Sequence, residues 1–168
     1  MINLSNEYGS IGEKVAKEWL KNKGYKVYAF KDILFELRDV HHRKKSKAKY
    51  ATSETGLQLL LKKEKFLNDV FNKKLDDFYK YEREIFKLIK KAKGKEVKNY
   101  KQFRYYPDFI LNKNNEITFI EVKVNQAEPK KYQKVSFDIA KNYGFKVMII
   151  KLNIIIEIQQ DIQLIEYT

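Results

Sequence analysis

The segment at residues 105–124, YYPDFILNKNNEITFIEVKV, constrains the fold more than any other stretch of this chain. Its two apolar stretches are separated by the polar run NKNNE at residues 112–116, which is typical of a turn. The pattern predicts a short strand at Phe109–Leu111 and a second strand at Ile117–Val124, paired as a hairpin. We therefore expect a β-sheet built around this hairpin.

Charged residues lie in this hairpin where an apolar core would be expected. Side chains alternate between the two faces of a strand, so Glu121 and Lys123 share one face. The turn brings Asp108, which follows Pro107 at the start of the first strand, close to Glu121. Two clustered carboxylates are costly unless a cation neutralises them, and Mg²⁺ binds carboxylate, phosphate and water oxygens. The cluster predicts metal-assisted attack on a phosphodiester; the alternative is an exposed strand face carrying a simple ion pair.

The first half of the chain has mainly helical periodicity. A helix ended by Gly24 is followed by a predicted strand at Tyr25–Phe30. Residues 52–93 form a long helical region with one break near Asn72, whereas residues 32–40 are ambiguous. The apolar residues expected on one side of the first helix are Ile11, Val15, Ala16, Trp19 and Leu20.

After the hairpin, the pattern predicts one more helix and one more strand. The helix spans residues 131–143, with Tyr132, Val135 and Ile139 among its core-facing residues, and Gly144 ends it. The strand spans residues 146–151. The fold class expected from these elements is α/β, with a central mixed β-sheet flanked by helices and a long helical insertion.

The length of 168 residues favours one domain, 1–168, which is enough to bury a sizeable core. We expect the core at residues 10–30 and 105–152, and the helical insertion at about residues 35–100. An apolar, acidic tail occupies residues 153–168.

The amino-acid composition limits the classes of function that this protein can have. The net charge of +13 and the pI of about 9.6 favour a polyanionic partner such as DNA, although a solvated lysine-rich surface is the alternative. The absence of cysteine excludes disulfides and thiol chemistry. No signal peptide and no apolar run of membrane-spanning length are present, so we expect no membrane partner and a cytoplasmic location.

Two basic stretches are candidate DNA contacts. Residues 86–106 carry eight basic residues and one acidic residue, with tyrosines interleaved, and lead directly to Asp108. Residues 41–50, HHRKKSKAKY, contain no acid and are expected to be an exposed loop or helix end. The alternative for both is a solvated surface. The candidate contacts are Arg43, Lys44, Lys45, Lys98, Lys101, Arg104 and Tyr105.

Pro107-Asp108 followed by Glu121-Val122-Lys123 resembles the motif of the PD-(D/E)XK nuclease superfamily. Glu13 ahead of Gly24 is similar to the first helix of archaeal Holliday-junction resolvases. Gln133 resembles the glutamine that follows this motif in the VRR-NUC and RecB-like branches. The resemblance covers residues 10–30 and 105–152 but not the helical region between them.

The resemblance implies a metal-dependent DNA endonuclease that leaves a 5′-phosphate and a 3′-hydroxyl. It implies that Asp108, Glu121, the Val122 carbonyl and Glu13 hold Mg²⁺ or Mn²⁺. Lys123 would position the attacking water, and Gln133 would orient the scissile strand or the lysine. The resolvase-like first helix favours a structure-selective enzyme for junction or branched DNA that works as a homodimer.

Three other functions fit the sequence. A sequence-specific restriction-type endonuclease or an exonuclease would share the same chemistry. A non-catalytic DNA-binding module on a nuclease scaffold would bind DNA without cutting it. A basic scaffold protein would use its helical region to bind other proteins.

Overall fold

The structure is a computed structural model that describes residues 4–45, 54–93 and 103–154. It has an α/β architecture, with a mixed four-stranded sheet that lies between one helix and a group of helices. Short 3-10 turns occur at Asn72–Lys74 and Phe103–Tyr105. The main elements are α1 (Leu4–Asn22), β1 (Lys26–Ala29), α2 (Phe30–Lys45), α3 (Glu54–Phe71), α4 (Leu75–Lys93), β2 (Phe109–Lys113), β3 (Glu116–Val124), α5 (Lys131–Asn142) and β4 (Lys146–Leu152).

The sheet has the order β1-β2-β3-β4, and its first two pairings are antiparallel while β3 and β4 are parallel. The predicted hairpin is confirmed, with a turn at Asn114 and Asn115. Their φ angles of 54° and 65° are positive, a backbone conformation that asparagine tolerates and that the common two-residue hairpin turn requires. This turn sets the register in which Phe109 faces Ile120.

Helix α1 covers one face of the sheet along a narrow stripe. Its buried residues Gly12, Ala16 and Leu20 recur every four positions, so they form one line along the helix. The prediction that Ile11, Val15 and Trp19 also face the core is wrong, because these side chains are 42–52% exposed. Helix α1 lies so close to the sheet that only this one line of residues fits between the helix and the sheet.

We expect Gly12→Ala to destabilise the protein, although alanine is the better helix former by about 1 kcal/mol. A Cβ at Gly12 would overlap Cγ2 of Val124, so α1 or the strand must shift, at a cost of roughly 1–3 kcal/mol. The matched control is Gly9→Ala in the same helix, where a Cβ meets nothing within 4 Å and should stabilise. Urea denaturation of both variants tests this, and an equal response of the two would contradict it.

The helical region between β1 and β2 supplies much of the main core on the other face of the sheet. Phe119 of β3 is fully buried and contacts the rings of Phe30, Phe78, Tyr81 and Phe145. Three of these four rings come from α2 and α4. The helical region therefore packs into the core of the domain.

Several boundaries differ from the sequence prediction by a residue or more. Strand β1 ends at Ala29, because Phe30 begins α2, and the ambiguous residues 32–40 are helical. The expected break is confirmed at Asn72, whose φ is 49°. Helix α5 ends at Asn142 before Gly144, whose φ is 75°. The predicted tail beyond residue 154 lies outside the described residues.

Within the described ranges, no helix is both long enough and apolar enough to span a membrane.

Candidate active site

The predicted site residues come together at one end of the sheet. The backbone N–H of Asp108 donates to the carbonyl of Ile120 at 2.8 Å, and Phe109 also faces Ile120, so Asp108 lies just beyond the last residue pair of the β2–β3 ladder. Its carboxylate accepts a hydrogen bond from the backbone N–H of Val122, which brings it near Glu121. Lys123 lies two residues further along β3, on the same face as Glu121.

Glu121 is the most buried member of the cluster, at 2% exposure. Its Oε1 accepts from Nζ of Lys123 at 2.6 Å and from Nε2 of Gln133 at 2.6 Å. Its Oε2 is buried and has no hydrogen-bond partner. A buried carboxylate oxygen without a partner is costly. Glu121 therefore has one oxygen fixed by protein donors and one oxygen free to bind a cation or a water.

Gln133 joins the first turn of α5 to the site. Its Oε1 accepts from Nζ of Lys123 at 3.1 Å and from the backbone N–H of Lys130 at 3.0 Å. The amide thus joins the start of α5 to Glu121 and Lys123 of β3 in one hydrogen-bond network. The sequence-based assignment of Gln133 to the site agrees with this position.

Asp108 is held by the neighbouring strand and is half-buried. Its Oδ2 accepts from the backbone N–H of Val122 at 2.7 Å. Burial, and then the negative charge of Glu121, raise the pKa of Asp108 to about 8, although the Val122 hydrogen bond opposes the shift. Burial also raises the pKa of Glu121, against the effect of Lys123. The site therefore favours extra positive charge or protons.

Glu13 of α1 approaches the same end of the sheet from the other layer. It lies beside Gly12, the residue that allows α1 to contact the sheet closely. Partial desolvation and the charge of Glu121 raise the pKa of Glu13, and Glu13 in turn contributes to the raised pKa of Asp108. Its side chain remains exposed to solvent.

The donor set fits a divalent cation that binds only with a substrate phosphate and water. In the described part of the chain, no group of three or more His, Cys, Asp or Glu side chains forms a complete set of metal ligands. Mg²⁺ commonly takes one or two carboxylates and completes its coordination with phosphate and water. The unpaired Oε2 of Glu121 is the observation that indicates a cation ligand here, and the raised pKa of Asp108 agrees with it.

In the absence of divalent cations, we expect the free energy of unfolding to fall as the pH rises from about 4 to about 8. In this window the folded protein keeps a proton on Asp108, whose pKa is raised from 3.8 to about 8, whereas the unfolded chain has lost it. The folded state therefore binds more protons, and stability decreases with pH by an amount on the order of a few kcal/mol. Urea denaturation in EDTA over this range tests the prediction. Constant or increasing stability across the window would contradict it.

The residues predicted to contact DNA lie in several separate parts of the chain. Arg43 pairs with Asp39 at 2.9 Å, and Lys44 pairs with Glu64, so both already have acidic partners within the helical region. Lys98 and Lys101, and the side chain of Lys45, lie outside the described residues. Arg104 is exposed and Tyr105 is half-buried, directly before the site. Arg43 and Asp39 lie four residues apart on α2, so their pairing is local to that helix. The sequence did not indicate Glu64 as the partner of Lys44, because that contact joins two helices.

Two further residues near the site were not predicted. Tyr132 precedes Gln133 on α5 and contacts the ring of Tyr105, with ring centroids 4.9 Å apart. Ser136 is buried one turn further along and hydrogen-bonds the hydroxyl of Tyr81 at 2.8 Å. Tyr132 was expected to face the core and is half-buried, and the only sequence signal that either residue lies near the site was its position on the helix that carries Gln133.

A scan against protein-family models, a search of curated proteins and a search of solved structures each found no match to this chain. The likeness to PD-(D/E)XK nucleases therefore rests on the motif residues themselves and stays a prediction.

Proposed function

We propose that this protein is a metal-dependent DNA endonuclease of the PD-(D/E)XK type, with a restriction-endonuclease-like core. The observation that carries the proposal is the buried network at the end of the sheet, in which the Asp108 carboxylate, bonded to the backbone N–H of Val122, lies near Glu121 and Lys123 bonds to Glu121. A purely structural ion pair would not need a second carboxylate near the first or an unpaired buried oxygen on Glu121.

Asp108 and Glu121 would hold the Mg²⁺ or Mn²⁺ ion, with the Val122 carbonyl and Glu13 as further ligands. A bound divalent cation supplies positive charge against the charge that develops on the phosphodiester during hydrolysis. The raised pKa of Asp108 supports this assignment, because a bound cation would favour the ionised carboxylate that its surroundings otherwise disfavour.

Lys123 and Gln133 would bind and orient the substrate and the attacking water. Nζ of Lys123 has two fixed acceptors, Oε1 of Glu121 and Oε1 of Gln133, which leaves its third proton for a water or a phosphate oxygen. Only 14% of the Lys123 side chain is exposed, so its position is well defined. This arrangement orients a charged donor towards the opening of the site.

The substrate is DNA in this proposal because the charge of the chain is +13 and basic residues surround the site. Lys130, Lys131 and Lys134 at the start of α5 are exposed and close in sequence to Gln133. The preference for branched or junction DNA and the homodimer, with two sites cutting two strands, follow from the resemblance to resolvases.

The test is a cleavage assay on labelled duplex, single-stranded, flapped and four-way-junction DNA. Each substrate is incubated with Mg²⁺, Mn²⁺ or EDTA, and Asp108→Asn is run in parallel. We expect cutting that requires the metal and is lost in the variant. Salt-sensitive binding without cutting of any substrate would instead establish a non-catalytic DNA-binding module. Cutting of fully paired duplex only would favour the restriction-type alternative.

A further inference from the structure

Two tyrosines form a half-exposed aromatic pair beside the proposed active site. The rings of Tyr105 and Tyr132 lie with centroids 4.9 Å apart and planes inclined by 40°. Both side chains are half-buried, and within the described residues neither hydroxyl group hydrogen-bonds to protein. The next residue, Tyr106, is only 3% exposed and packs against Phe30 in the main core, and Tyr105 packs against the edge of the same core. The pair therefore lies at the rim of the main core, with part of both side chains open to solvent.

Each tyrosine of the pair is close in sequence to a residue of the proposed active site. Tyr105 precedes Asp108 by three residues, across the buried Pro107. Tyr132 is the neighbour of Gln133, whose side chain hydrogen-bonds to both Glu121 and Lys123. A group stacked on this pair would thus lie next to the two segments that carry the site.

Positive charge surrounds the aromatic pair. Arg104 precedes Tyr105, and Lys130 and Lys131 precede Tyr132, and all three side chains are exposed. None of them forms a salt bridge with an acid in the described part of the chain. Aromatic rings among unpaired cations suit single-stranded nucleic acid, in which the rings stack on bases and the cations neutralise phosphates.

We propose that Tyr105 and Tyr132 form a stacking platform for an unpaired nucleotide next to the scissile phosphate. In a continuous duplex both faces of each base are covered by neighbouring base pairs, so a tyrosine can stack only on a base that is unpaired or terminal. The platform rests on the proposed nuclease function and narrows its substrate to DNA with unpaired nucleotides beside the cut, such as flaps or branch points.

The test measures stacking directly and does not depend on cleavage. Asp108→Asn protein is titrated with flapped DNA that carries, at each unpaired position in turn, a fluorescent adenine analogue whose emission is quenched by stacking. We expect quenching at an unpaired position next to the branch and none where the analogue is paired within the duplex. Tyr132→Leu, added to the same protein, should remove the quenching and weaken binding roughly tenfold, whereas Tyr132→Phe should preserve both.

Two controls make the result specific. Tyr143 lies at the other end of α5, so Tyr143→Leu should leave the quenching unchanged. Replacing the unpaired bases by abasic sites should weaken binding of the unaltered protein about tenfold, because the phosphates remain while the bases are lost. Equal affinity for abasic and intact flaps, or quenching that persists in Tyr132→Leu, would overturn the platform. Quenching by a protein that cuts nothing would retain the platform and refute the nuclease.

Discussion

Replacing Asp108 with asparagine will lower the rate of metal-dependent DNA cleavage by roughly a hundredfold to a thousandfold or more. Asparagine has the same shape and can still accept the hydrogen bond from the backbone N–H of Val122, so the strand geometry should persist. What is lost is the negative charge that would hold the cation together with Glu121. Initial rates on the best DNA substrate, measured at saturating Mg²⁺, test this effect.

The same substitution should stabilise the folded protein when no divalent cation is present. Burial and the charge of Glu121 raise the pKa of Asp108 to about 8, so an ionised Asp108 is unfavourable in the fold. Asparagine removes the charge and should flatten the decline in stability between about pH 4 and pH 8. A variant that loses activity and gains stability marks a residue kept for function at a cost in stability.

Asp138→Asn is the matched control for this prediction. Asp138 is an exposed aspartate on α5 and is not part of the buried network. Its substitution should therefore change neither the cleavage rate nor the pH dependence of stability. Cleavage by Asp108→Asn at the rate of the unaltered protein would refute the proposed role of Asp108. Loss of stability across the whole pH range would refute the electrostatic account of its burial.

Replacing Lys123 with methionine should destabilise the protein by about 3–5 kcal/mol at neutral pH. Nζ of Lys123 lies 2.6 Å from Oε1 of Glu121, and only 3% of the Glu121 side chain is exposed. Methionine fills a similar volume but leaves the Glu121 carboxylate buried without its counter-charge. Breaking a buried pair by removing one partner is costly because the remaining charge loses both water and its partner.

The double variant Glu121→Gln, Lys123→Met separates charge from packing. It should recover much of the lost stability, because the remaining amide carries no net charge. The cost of Lys123→Met alone should also shrink below about pH 4.5, the ordinary pKa of a glutamate, since Glu121 is then protonated in both states. A cost that is independent of pH and persists in the double variant would show that Lys123 contributes mainly by packing.

The sequence by itself determined the centre of the sheet and the core of the candidate site. Period-two alternation and the paired asparagines at 114 and 115 defined the β2–β3 hairpin, and the hairpin brought Asp108 near Glu121. Lys123 followed because residues two apart on a strand share a face. These features depend on local backbone geometry, which a short stretch of sequence encodes completely.

Only the tertiary structure decided which faces of the helices are buried and which charges are paired. Val135 was expected in the core and is 40% exposed, whereas Gln133 is buried against Glu121 of β3 and Ser136 against Tyr81 of α4. Similarly, the close approach at Gly12 leaves Val15 and Trp19 exposed, and Lys44 of α2 pairs with Glu64 of α3. The spacing of apolar residues along a helix predicts the direction of its buried face only to within about 100°, the rotation from one residue to the next. The elements packed against a helix select the face within that range, and those contacts join residues far apart in the chain.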